Sequence, residues 1–430
     1  MTNAESFATV GGTSVSYGLF LSEAAALAQV LPPCSAVINL CENRYRFALG
    51  FVAAMAKGVV TLMPPDRSAL HLESLLQQHP GALILRDETA HADTSSWIVG
   101  RYLDDRMGPI TFDIDPHRIV LVAYTSGSTG LPQPQPKTLA SLKESARLID
   151  LHLGGVNGKA VVATVPIQHM YGLELSLLLP LFCGAILQEG KPFYPADIVA
   201  SLARTADPAV LVTTPVHLRA LIGSGLSLPP IELLVSATAP LDRALASQAE
   251  DRFGAPLLEI YGCTEAGSIA GRRPSQAEEW TLFEPVRMHG GPRGIHVTAP
   301  HLSEPVWLQD LIEPLDARQF RLSGRQVDLI NIAGKRGSLA ALNRVLLDIE
   351  GVVDGTFFLP DDTHQGTTRM VVFVVAPTLT HDSVLQQLRQ RIDPAFMPRV
   401  VHQLESLPRN ATGKLPLQAL QRLLNRSASA

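Results

Sequence analysis

Short apolar runs alternate with helical patterns along most of this chain. Seven of the runs have the length and the β-branched content of buried strands, and they lie at 37–40, 59–63, 119–124, 161–165, 210–214, 233–236 and 257–261. Helical patterns occupy the intervening stretches at 45–57, 139–151, 195–205 and 241–253. This alternation predicts an α/β fold with mostly parallel sheets covered by helices.

The pattern changes after residue 325. Strand patterns at 327–332, 355–359 and 370–375 are short, and helical patterns at 339–348 and 383–392 lie among them. A chain of 430 residues is also longer than a single core usually supports. We therefore expect a large N-terminal domain followed by a small α+β domain.

Composition narrows the class of protein. Apolar residues make up 46% of the chain and charged residues 17%, which favours a packed core over disorder. A net charge of −5 gives no basic footprint for nucleic acid. The four cysteines lack metal-ligand spacing and are expected to be reduced thiols.

The most apolar stretch, 173–187, is interrupted by Glu174 and Pro180 and is shorter than the roughly 20 residues that span a bilayer. With no signal-peptide pattern at the start, we expect a cytoplasmic protein without membrane insertion.

A polar loop follows the strand predicted at 119–124. It consists of Thr125, Ser126, Gly127, Ser128, Thr129 and Gly130. Glycine lets the backbone turn its N–H groups inward and the hydroxyls add donors, so such a loop can hold phosphate oxygens. Composition alone would favour a surface turn, and segments farther along the chain decide between the two.

Those segments recur in a fixed order. They are Pro166-Ile167-Gln168-His169-Met170-Tyr171-Gly172, Ser236-Ala237-Thr238-Ala239-Pro240-Leu241, Tyr261-Gly262-Cys263-Thr264-Glu265, Asp310, Gly324-Arg325-Gln326-Val327-Asp328, Ala333-Gly334-Lys335-Arg336 and Pro408-Arg409-Asn410-Ala411-Thr412-Gly413-Lys414. Each alone has many chance matches. Together, over residues 20–420, they resemble the adenylate-forming superfamily of acyl- and aryl-CoA ligases, luciferases and peptide-synthetase adenylation domains. The segments before Asp310 follow predicted strands, and ligands of parallel sheets bind beyond the carboxyl ends of strands.

The resemblance implies activation of a carboxylic acid by ATP and Mg²⁺. Residues 125–130 correspond to the loop that holds the departing phosphates. Glu265 corresponds to the ligand of Mg²⁺, a hard ion that prefers oxygen donors, and Thr264 to a contact of the α-phosphate. Without the resemblance, Glu265 would be an ordinary solvated carboxylate.

Other segments correspond to the nucleotide site and the domain boundary. Asp310 corresponds to the carboxylate that accepts hydrogen bonds from the ribose hydroxyls, and Arg325 to a basic contact of the ribose or phosphate. The cofactor-binding surface around adenine corresponds to Ala237, Thr238, Ala239, Tyr261 and Gly262. The resemblance also implies a hinge at 325–327, between an adenylation domain over 1–324 and a mobile lid domain over 328–430.

Two more residues complete the predicted catalytic set of Lys414, Glu265, Thr264 and His169. Lys414 corresponds to the lysine that bridges the carboxylate and the α-phosphate during adenylation, a task that suits a flexible ammonium. His169 corresponds to an aromatic gate between the acyl pocket and the thiol tunnel. By composition alone, Lys414 would be an exposed lysine and His169 a hydrogen-bonded core residue.

Three positions depart from the pattern of the superfamily. Gln133 occupies the usual place of a lysine after the phosphate loop, and the first lysine is Lys137. Val327 stands at the hinge where Asp or Lys is usual. Pro416 stands where a basic residue usually follows the closing lysine.

The acyl pocket implied by the resemblance is small and mostly apolar, with scattered hydroxyls, and suits a flat aromatic acid. Its residues are His169, Tyr171, Thr213, Thr214, Ser236, Ala237, Tyr261, Gly262 and Gly267. The chain length resembles short ligases of aryl polyene and xanthomonadin pigment pathways, which implies 3- or 4-hydroxybenzoate as the acid. Their acceptor is an acyl carrier protein, expected here to be a separate protein because no Asp-Ser-Leu attachment motif occurs.

Two alternatives remain open from the sequence. A ligase that uses free CoA shares every segment described above. A non-catalytic ligand-binding descendant of the fold would be expected to have lost Glu265 or Lys414, and both are present.

Overall fold

The structure is a computed structural model that describes residues 2, 4–65, 67–87, 96–100, 113–126, 132–206, 208–292, 294–325, 329–332, 335–360, 370–410, 413 and 415–427. The chain divides into two compact units. The first comprises Met1–His289 and His296–Val306, and the second comprises Gly290–Ile295 and Trp307–Ala430. Residues 326 and 327 lie outside the described residues, so the hinge at 325–327 and the domain limits stay predictions.

The elements are numbered here in chain order. The strands are β1 (Ser6–Val10), β2 (Thr13–Ser16), β3 (Ala36–Asn39), β4 (Val60–Met63), β5 (Leu83–Arg86), β6 (Ser96–Ile98), β7 (Ile119–Ser126), β8 (Pro132–Thr138), β9 (Ala160–Ala163), β10 (Ile186–Gln188), β11 (Ala209–Thr213), β12 (Leu233–Ser236), β13 (Leu257–Cys263), β14 (Gly267–Arg272), β15 (Trp280–Leu282), β16 (Arg287–Gly291), β17 (Gly294–Thr298), β18 (Val306–Trp307), β19 (Asp310–Pro314), β20 (Gln319–Arg325), β21 (Leu329–Ile332), β22 (Lys335–Ser338), β23 (Asp354–Phe358), β24 (Val371–Val375) and β25 (Val400–Gln403). The α-helices are α1 (Tyr17–Val30), α2 (Arg44–Lys57), α3 (Ala69–Gln78), α4 (Leu139–His152), α5 (Met170–Leu173), α6 (Leu179–Cys183), α7 (Pro195–Ala203), α8 (Pro215–Gly223), α9 (Arg243–Phe253), α10 (Leu339–Leu347), α11 (His381–Arg389) and α12 (Leu417–Ser427). A π-helical turn, Glu174–Leu178, joins α5 to α6.

Two sheets form the framework of the first unit. Within this unit, the large sheet has the order β15-β14-β13-β12-β11-β9-β10-β1-β2, and the strands from β13 to β1 in this order are parallel. The second sheet has the order β6-β5-β3-β4-β7-β8 and is parallel from β6 to β7. The predicted α/β class with mostly parallel, helix-covered sheets is confirmed.

The strand β8 was not expected, because three of its seven residues are proline. It pairs antiparallel with β7 and lies at the edge of its sheet. Alternate N–H groups of a strand point to opposite sides, so prolines at every second residue remove only the donors that face away from β7. The same arrangement blocks pairing of this edge with a further strand.

The apolar stretch after residue 170 forms one buried helical segment, which ends at Cys183, and β10 begins at Ile186. Its Leu173 and Leu177 pack in a core with residues of α1, α2 and α4. Among the residues that the structure describes, none of the helices combines the length and the apolar character needed to cross a membrane. The segment therefore belongs to the core of the first unit.

The second unit has an α+β composition, as the sequence predicted. The strands β19 and β20 pair antiparallel, as do β21 and β22, and a further sheet has the order β23-β24-β25. Leu342 and Leu346 of α10 and Val384 and Leu388 of α11 are buried in one core cluster with side chains of that sheet. Leu420 of α12 is buried in another cluster that includes sheet residues.

Candidate active site

Four neighbouring parallel strands carry most of the predicted site of the first unit. The strands β9, β11, β12 and β13 are adjacent, so their carboxyl ends meet at one edge of the large sheet. The segment with His169 and Tyr171 follows β9, and Thr213 and Thr214 lie at the end of β11. Ser236 to Ala239 follow in the same way at β12, and Tyr261 to Glu265 at β13. The structure thus brings these predicted residues together at one edge.

The phosphate loop begins at the carboxyl end of β7, in the second sheet. Thr125 and Ser126 are the last residues of this strand. Gly127, Ser128, Thr129 and Gly130 lie outside the described residues. Because β7 and β8 pair antiparallel directly before and after it, the loop connects the two strands of a hairpin.

Two positions at this edge of the sheet have an unusual backbone conformation or a close backbone approach. Thr238 has φ of 79°, a left-handed conformation that costs a residue with a Cβ atom about 1–3 kcal/mol. At Gly262, a Cβ atom would collide with the carbonyl oxygen of Gly267. Strain and close approach of this kind cluster at ligand sites, which agrees with the predicted nucleotide surface.

Of the two adenine-surface residues predicted on β13, Tyr261 is buried and Gly262 is exposed. Tyr261 is 8% exposed, and its ring centroid lies 5.7 Å from that of Trp280. The guanidinium of Arg272 lies over Trp280 at 4.6 Å. The Tyr261 ring is therefore packed firmly at the end of its strand.

The turn between β13 and β14 carries Thr264 and Glu265, both half-buried. Nζ of Lys137 donates to the carbonyl oxygen of Glu265 at 2.5 Å. Nε2 of His301 donates to the carbonyl oxygen of Ala266 at 2.9 Å. These two bonds fix the backbone of the turn.

Glu174 lies beside the same turn and is 1% exposed. Its Oε1 accepts from Oγ of Ser145 at 2.6 Å and from the N–H of Ser268 at 3.2 Å, and its Oε2 accepts from Oγ of Ser268 at 2.6 Å. Gly267 has φ of +71°, and a Cβ atom there would come within 2.5 Å of Oε1 of Glu174. Glu174 was recognised in the sequence only as an interruption of an apolar run, although a carboxylate in such a run needs buried partners.

Burial sets the protonation of several groups around the turn. It lowers the pKa of the Lys137 ammonium, while the neighbouring carboxylates of Glu174 and Glu265 act in the opposite direction. Burial also lowers the pKa of His301, which favours its neutral form. It raises the pKa of the Cys263 thiol to about 12, so this cysteine is a poor nucleophile near neutral pH.

A second polar cluster lies at the ends of β9 and β11. Oγ1 of Thr164 lies 3.1 Å from Oγ1 of Thr213 and 3.2 Å from Nδ1 of His217. Oγ1 of Thr214 lies 2.9 Å from the same nitrogen. Burial, aided by the nearby charge of Lys191, lowers the pKa of His217 to about 4. Thr164 and His217 were missed in the sequence because they bear no local signal.

The residues predicted to line the acyl pocket are mostly enclosed by protein. Thr213, Thr214 and Ser236 have no exposed surface, and the Ser236 hydroxyl has no hydrogen-bond partner among the described residues. The Tyr171 hydroxyl lies 3.1 Å from the carbonyl oxygen of Thr213 and 2.9 Å from that of Val235. Tyr171 therefore links the segment after β9 to the neighbouring strands.

His169 is the N-cap residue of α5 and is half-buried. Directly after α5 begins, Gly172 approaches the backbone so closely that a Cβ atom would collide with the carbonyl oxygen of Pro166. The tight turn between Pro166 and Gly172 places His169 at the start of the buried helix. Its role as a gate stays a prediction.

In the second unit, two predicted nucleotide residues face each other across a strand pair. Asp310 begins β19 and is the pairing partner of Arg325 at the end of β20. Directly opposite residues of antiparallel strands have neighbouring Cβ atoms. The structure thus brings the backbones of the predicted ribose contacts together.

The closing segment of the second unit is anchored by Arg409. Its Nε and Nη2 donate to Asp354 at 2.7 and 2.6 Å, and its Nη1 donates to the carbonyl oxygen of Gly413 at 2.7 Å. Lys414 itself lies outside the described residues, as do 411 and 412. The unusual Pro416 precedes α12, and its carbonyl oxygen accepts from the N–H groups of Ala419 and Leu420 at 3.0 and 3.3 Å. This proline therefore starts the last helix.

A metal at this site needs few protein ligands. Among the described residues, no group of three or more His, Cys, Asp or Glu side chains is placed to hold an ion. Mg²⁺ that arrives with phosphates commonly takes only one or two carboxylates and retains waters. Glu265, a half-buried carboxylate on a fixed turn, fits such a site as the ligand.

Comparisons with known proteins bear on the whole chain. A family model described as AMP-binding enzyme matches residues 2–286. The 4-coumarate–CoA ligase of Halorhodospira halophila is 30% identical over 327 residues, which cover 72% of this chain and 78% of that ligase. The 3-hydroxybenzoate–CoA/4-hydroxybenzoate–CoA ligase of Thauera aromatica is 25% identical over 409 residues, which cover 84% of this chain and 77% of that ligase. The O-succinylbenzoate coenzyme A synthetase of Bacillus subtilis, solved with ATP and magnesium, has a TM-score of 0.79 at 18% identity, over 96% of this chain and 95% of that one.

Proposed function

Because this chain belongs to the AMP-binding family of adenylate-forming enzymes and is an AMP-forming acid–thiol ligase, we propose that its acid is a hydroxybenzoate and its acceptor a separate acyl carrier protein. The reaction uses ATP and Mg²⁺. The observation that supports the activation of an acid at this edge is the convergence of four strand ends, with Glu265 on a fixed turn.

In the first half-reaction, a carboxylate oxygen of the acid attacks the α-phosphorus of ATP. The bond between the α-phosphorus and the bridging oxygen breaks, and pyrophosphate leaves with that oxygen. Donors at residues 125–130 hold the departing phosphates, and Thr264 contacts the α-phosphate. Bound Mg²⁺ would neutralise charge on the phosphates, held in part by Glu265. Lys414 stabilises the charge that develops between the carboxylate and the α-phosphate.

In the second half-reaction, a phosphopantetheine thiol gives up its proton and attacks the acyl carbon. AMP leaves with the pair of electrons of the broken carbon–oxygen bond. The enclosed thiol of Cys263 takes no part, since burial keeps it protonated. His169, at the start of the buried helix, gates the thiol's approach.

The choice of an aryl acid rests on the pocket and on the relatives. Ala237 and Tyr261 are buried and Tyr171 is half-buried, and together they offer a mostly apolar surface. Thr213 and Ser236 add hydroxyls at the neighbouring strand ends. Such a pocket accommodates a flat ring with a polar substituent better than a long chain. Two relatives carry the names of ligases for 4-coumarate and for 3- and 4-hydroxybenzoate, which are hydroxylated aromatic acids.

Free CoA is the second candidate acceptor. The observation in its favour is that the named relatives are CoA ligases. The carrier protein is preferred here because the chain length resembles that of short pigment-pathway ligases.

Pyrophosphate release tests the acid. We expect release with 3- or 4-hydroxybenzoate that exceeds release with long-chain fatty acids by at least tenfold, and a loss of release in Glu265→Gln. Glu278→Gln, an exposed carboxylate of the same unit, is the matched control and should behave as the wild type. Turnover of fatty acids without benzoates would overturn the aryl assignment, and ATP binding without release for any acid would indicate the non-catalytic alternative.

Thioester yield tests the acceptor. With the preferred acid fixed, the rate is compared between a phosphopantetheinylated carrier protein and free CoA at equal concentrations. A higher rate with the carrier supports the proposal. An equal or higher rate with CoA rejects it and leaves an aryl-CoA ligase.

A further inference from the structure

Lys137 connects the two sheets of the first unit. It belongs to β8, the strand that follows the phosphate loop, and it lies opposite Leu121 of β7. Its Nζ reaches the carbonyl oxygen of Glu265, in the turn between β13 and β14 of the large sheet, at 2.5 Å. One side chain therefore bridges the strand that leaves the phosphate loop and the turn that carries the predicted metal ligand.

The same turn is held at two further points. His301 donates to the carbonyl oxygen of Ala266, and Glu174 accepts from both the N–H and the hydroxyl of Ser268. Gly267 between them has a left-handed backbone and no room for a Cβ atom beside Glu174. Four consecutive residues, the last two of the turn and the first two of β14, are thus fixed in place, three of them by titratable side chains from elsewhere in the chain.

A cation and two carboxylates lie in the same neighbourhood around the turn. Lys137 interacts electrostatically with Glu174 and with Glu265. Glu174 has only 1% exposure, so its carboxyl group needs hydrogen-bond partners within the protein. Ser145 and Ser268 supply those hydrogen bonds, and the ammonium of Lys137 adds a favourable electrostatic interaction.

We propose that Lys137 is a positioning residue for acid activation. Its ammonium, through the hydrogen bond to the carbonyl oxygen of Glu265, fixes the turn of Thr264 and Glu265 relative to the strand that leaves the phosphate loop. It acts through the backbone of Glu265 and makes no contact with the nucleotide. The inference rests on the proposed function of Glu265 as a Mg²⁺ ligand. It gives Lys137 a task in place of the phosphate contact that a loop lysine at position 133 would make.

The test uses the full chain with Lys137→Met, which keeps the unbranched side chain up to the position before the ammonium and removes the charge, and with Lys137→Arg. Lys143→Met, an exposed lysine of the following helix, is the matched control. Pyrophosphate release is measured as a function of Mg²⁺, ATP and acid in turn. We expect Lys137→Met to raise the Mg²⁺ and ATP concentrations for half-saturation about tenfold, because a displaced carboxylate loses a charged contact. The KM of the acid and the transfer of a presynthesised acyl-adenylate should stay within twofold of wild type, and Lys137→Arg should restore part of the loss.

A double variant separates positioning from simple instability. Lys137→Met with Glu174→Gln removes both charges, so it should fold even where Lys137→Met does not, and it should keep the raised Mg²⁺ requirement. Unchanged Mg²⁺ and ATP dependence in either folded variant would overturn the proposal. So would an equal loss in adenylation and in transfer.

Calorimetric binding of ATP at several Mg²⁺ concentrations, without any acid, gives a second readout. If wild type binds MgATP but releases no pyrophosphate with any acid, the proposed function fails. Even then, weaker Mg²⁺-dependent binding in Lys137→Met supports the positioning role, and equal binding rejects it.

Discussion

Two polar clusters lie at the same edge of the large sheet and differ in charge. The first, under the turn between β13 and β14, contains the ammonium of Lys137 and the carboxylate of Glu174. The second, at the ends of β9 and β11, consists of threonine hydroxyls around His217, whose pKa of about 4 keeps it neutral near pH 7. Both are enclosed by protein.

The difference in charge matches the kind of ligand group that each cluster is predicted to lie beside. Buried charges cost several kcal/mol each unless they are paired, so a fold retains them where they serve a purpose. The charged cluster lies beside the residues predicted to meet phosphates and a metal. The neutral cluster lies beside the residues predicted to meet the ring of the acid, where hydroxyls satisfy one another. Fixed charge is therefore concentrated at the end of the site that is predicted to meet phosphates.

Removing the buried carboxylate is the strongest test of this contrast. Glu174→Ala leaves two buried serine hydroxyls without their acceptor and removes a carboxyl group that interacts electrostatically with Lys137, so the free energy of unfolding should fall by about 2–5 kcal/mol. Urea denaturation at pH 7 measures the loss. Glu144→Ala, which breaks a partly exposed ion pair with Arg147, should cost less than about 1 kcal/mol. A loss at Glu174 as small as that at Glu144 would show that the charges of the first cluster are not coupled.

The second unit offers a test of the same contrast at Lys414. If charged groups stabilise the phosphate chemistry, Lys414→Ala should lower the rate of adenylation about 10²-fold or more, because a charged contact to the transition state is lost. This loss corresponds to about 3 kcal/mol of activation free energy. Transfer from a presynthesised acyl-adenylate to the thiol should remain near wild type. Equal slowing of both half-reactions would indicate a folding defect, and normal rates in both would make Lys414 an ordinary surface lysine.

The strand ends that carry the candidate site could be predicted from the sequence. The contacts that hold those strand ends and turns in place could not. Alternating patterns located the strands, and parallel strands bring their carboxyl ends together, so His169, Thr213, Ser236 and Tyr261 were placed at one edge correctly. The contact from Lys137 to Glu265 joins residues 128 positions apart, and local periodicity carries no information on such a pair. The prolines of β8 concealed a strand, because proline is tolerated only where one side of the strand is unpaired.

The neutral cluster should make the stability of the protein depend on pH. His217 is neutral in the folded protein down to pH about 4, whereas in the unfolded chain it takes a proton below about 6.5. Its contribution to stability is therefore complete above pH 6.5 and is lost as the pH falls toward 4, by about 2 kcal/mol between pH 7 and pH 5. His217→Asn keeps a polar partner for the threonines and should flatten this part of the stability profile. An unchanged slope in the variant would assign the acid sensitivity to other histidines.

The smallest expected effect comes from the hydroxyls of the neutral cluster. Thr213→Val keeps the shape of the side chain but leaves the Thr164 hydroxyl with one fewer partner, and should cost about 1 kcal/mol in urea denaturation. Thr164→Val should cost slightly more, since that hydroxyl also lies near His217. When both threonines are replaced, neither substitution leaves an unpaired hydroxyl on the other residue. The double variant should therefore lose less free energy of unfolding than the two single variants together. Strict additivity would mean that the two hydroxyls do not bond to each other. Because the hydroxyls satisfy one another without charge, this end of the site can stay buried where the ring of the proposed acid would lie.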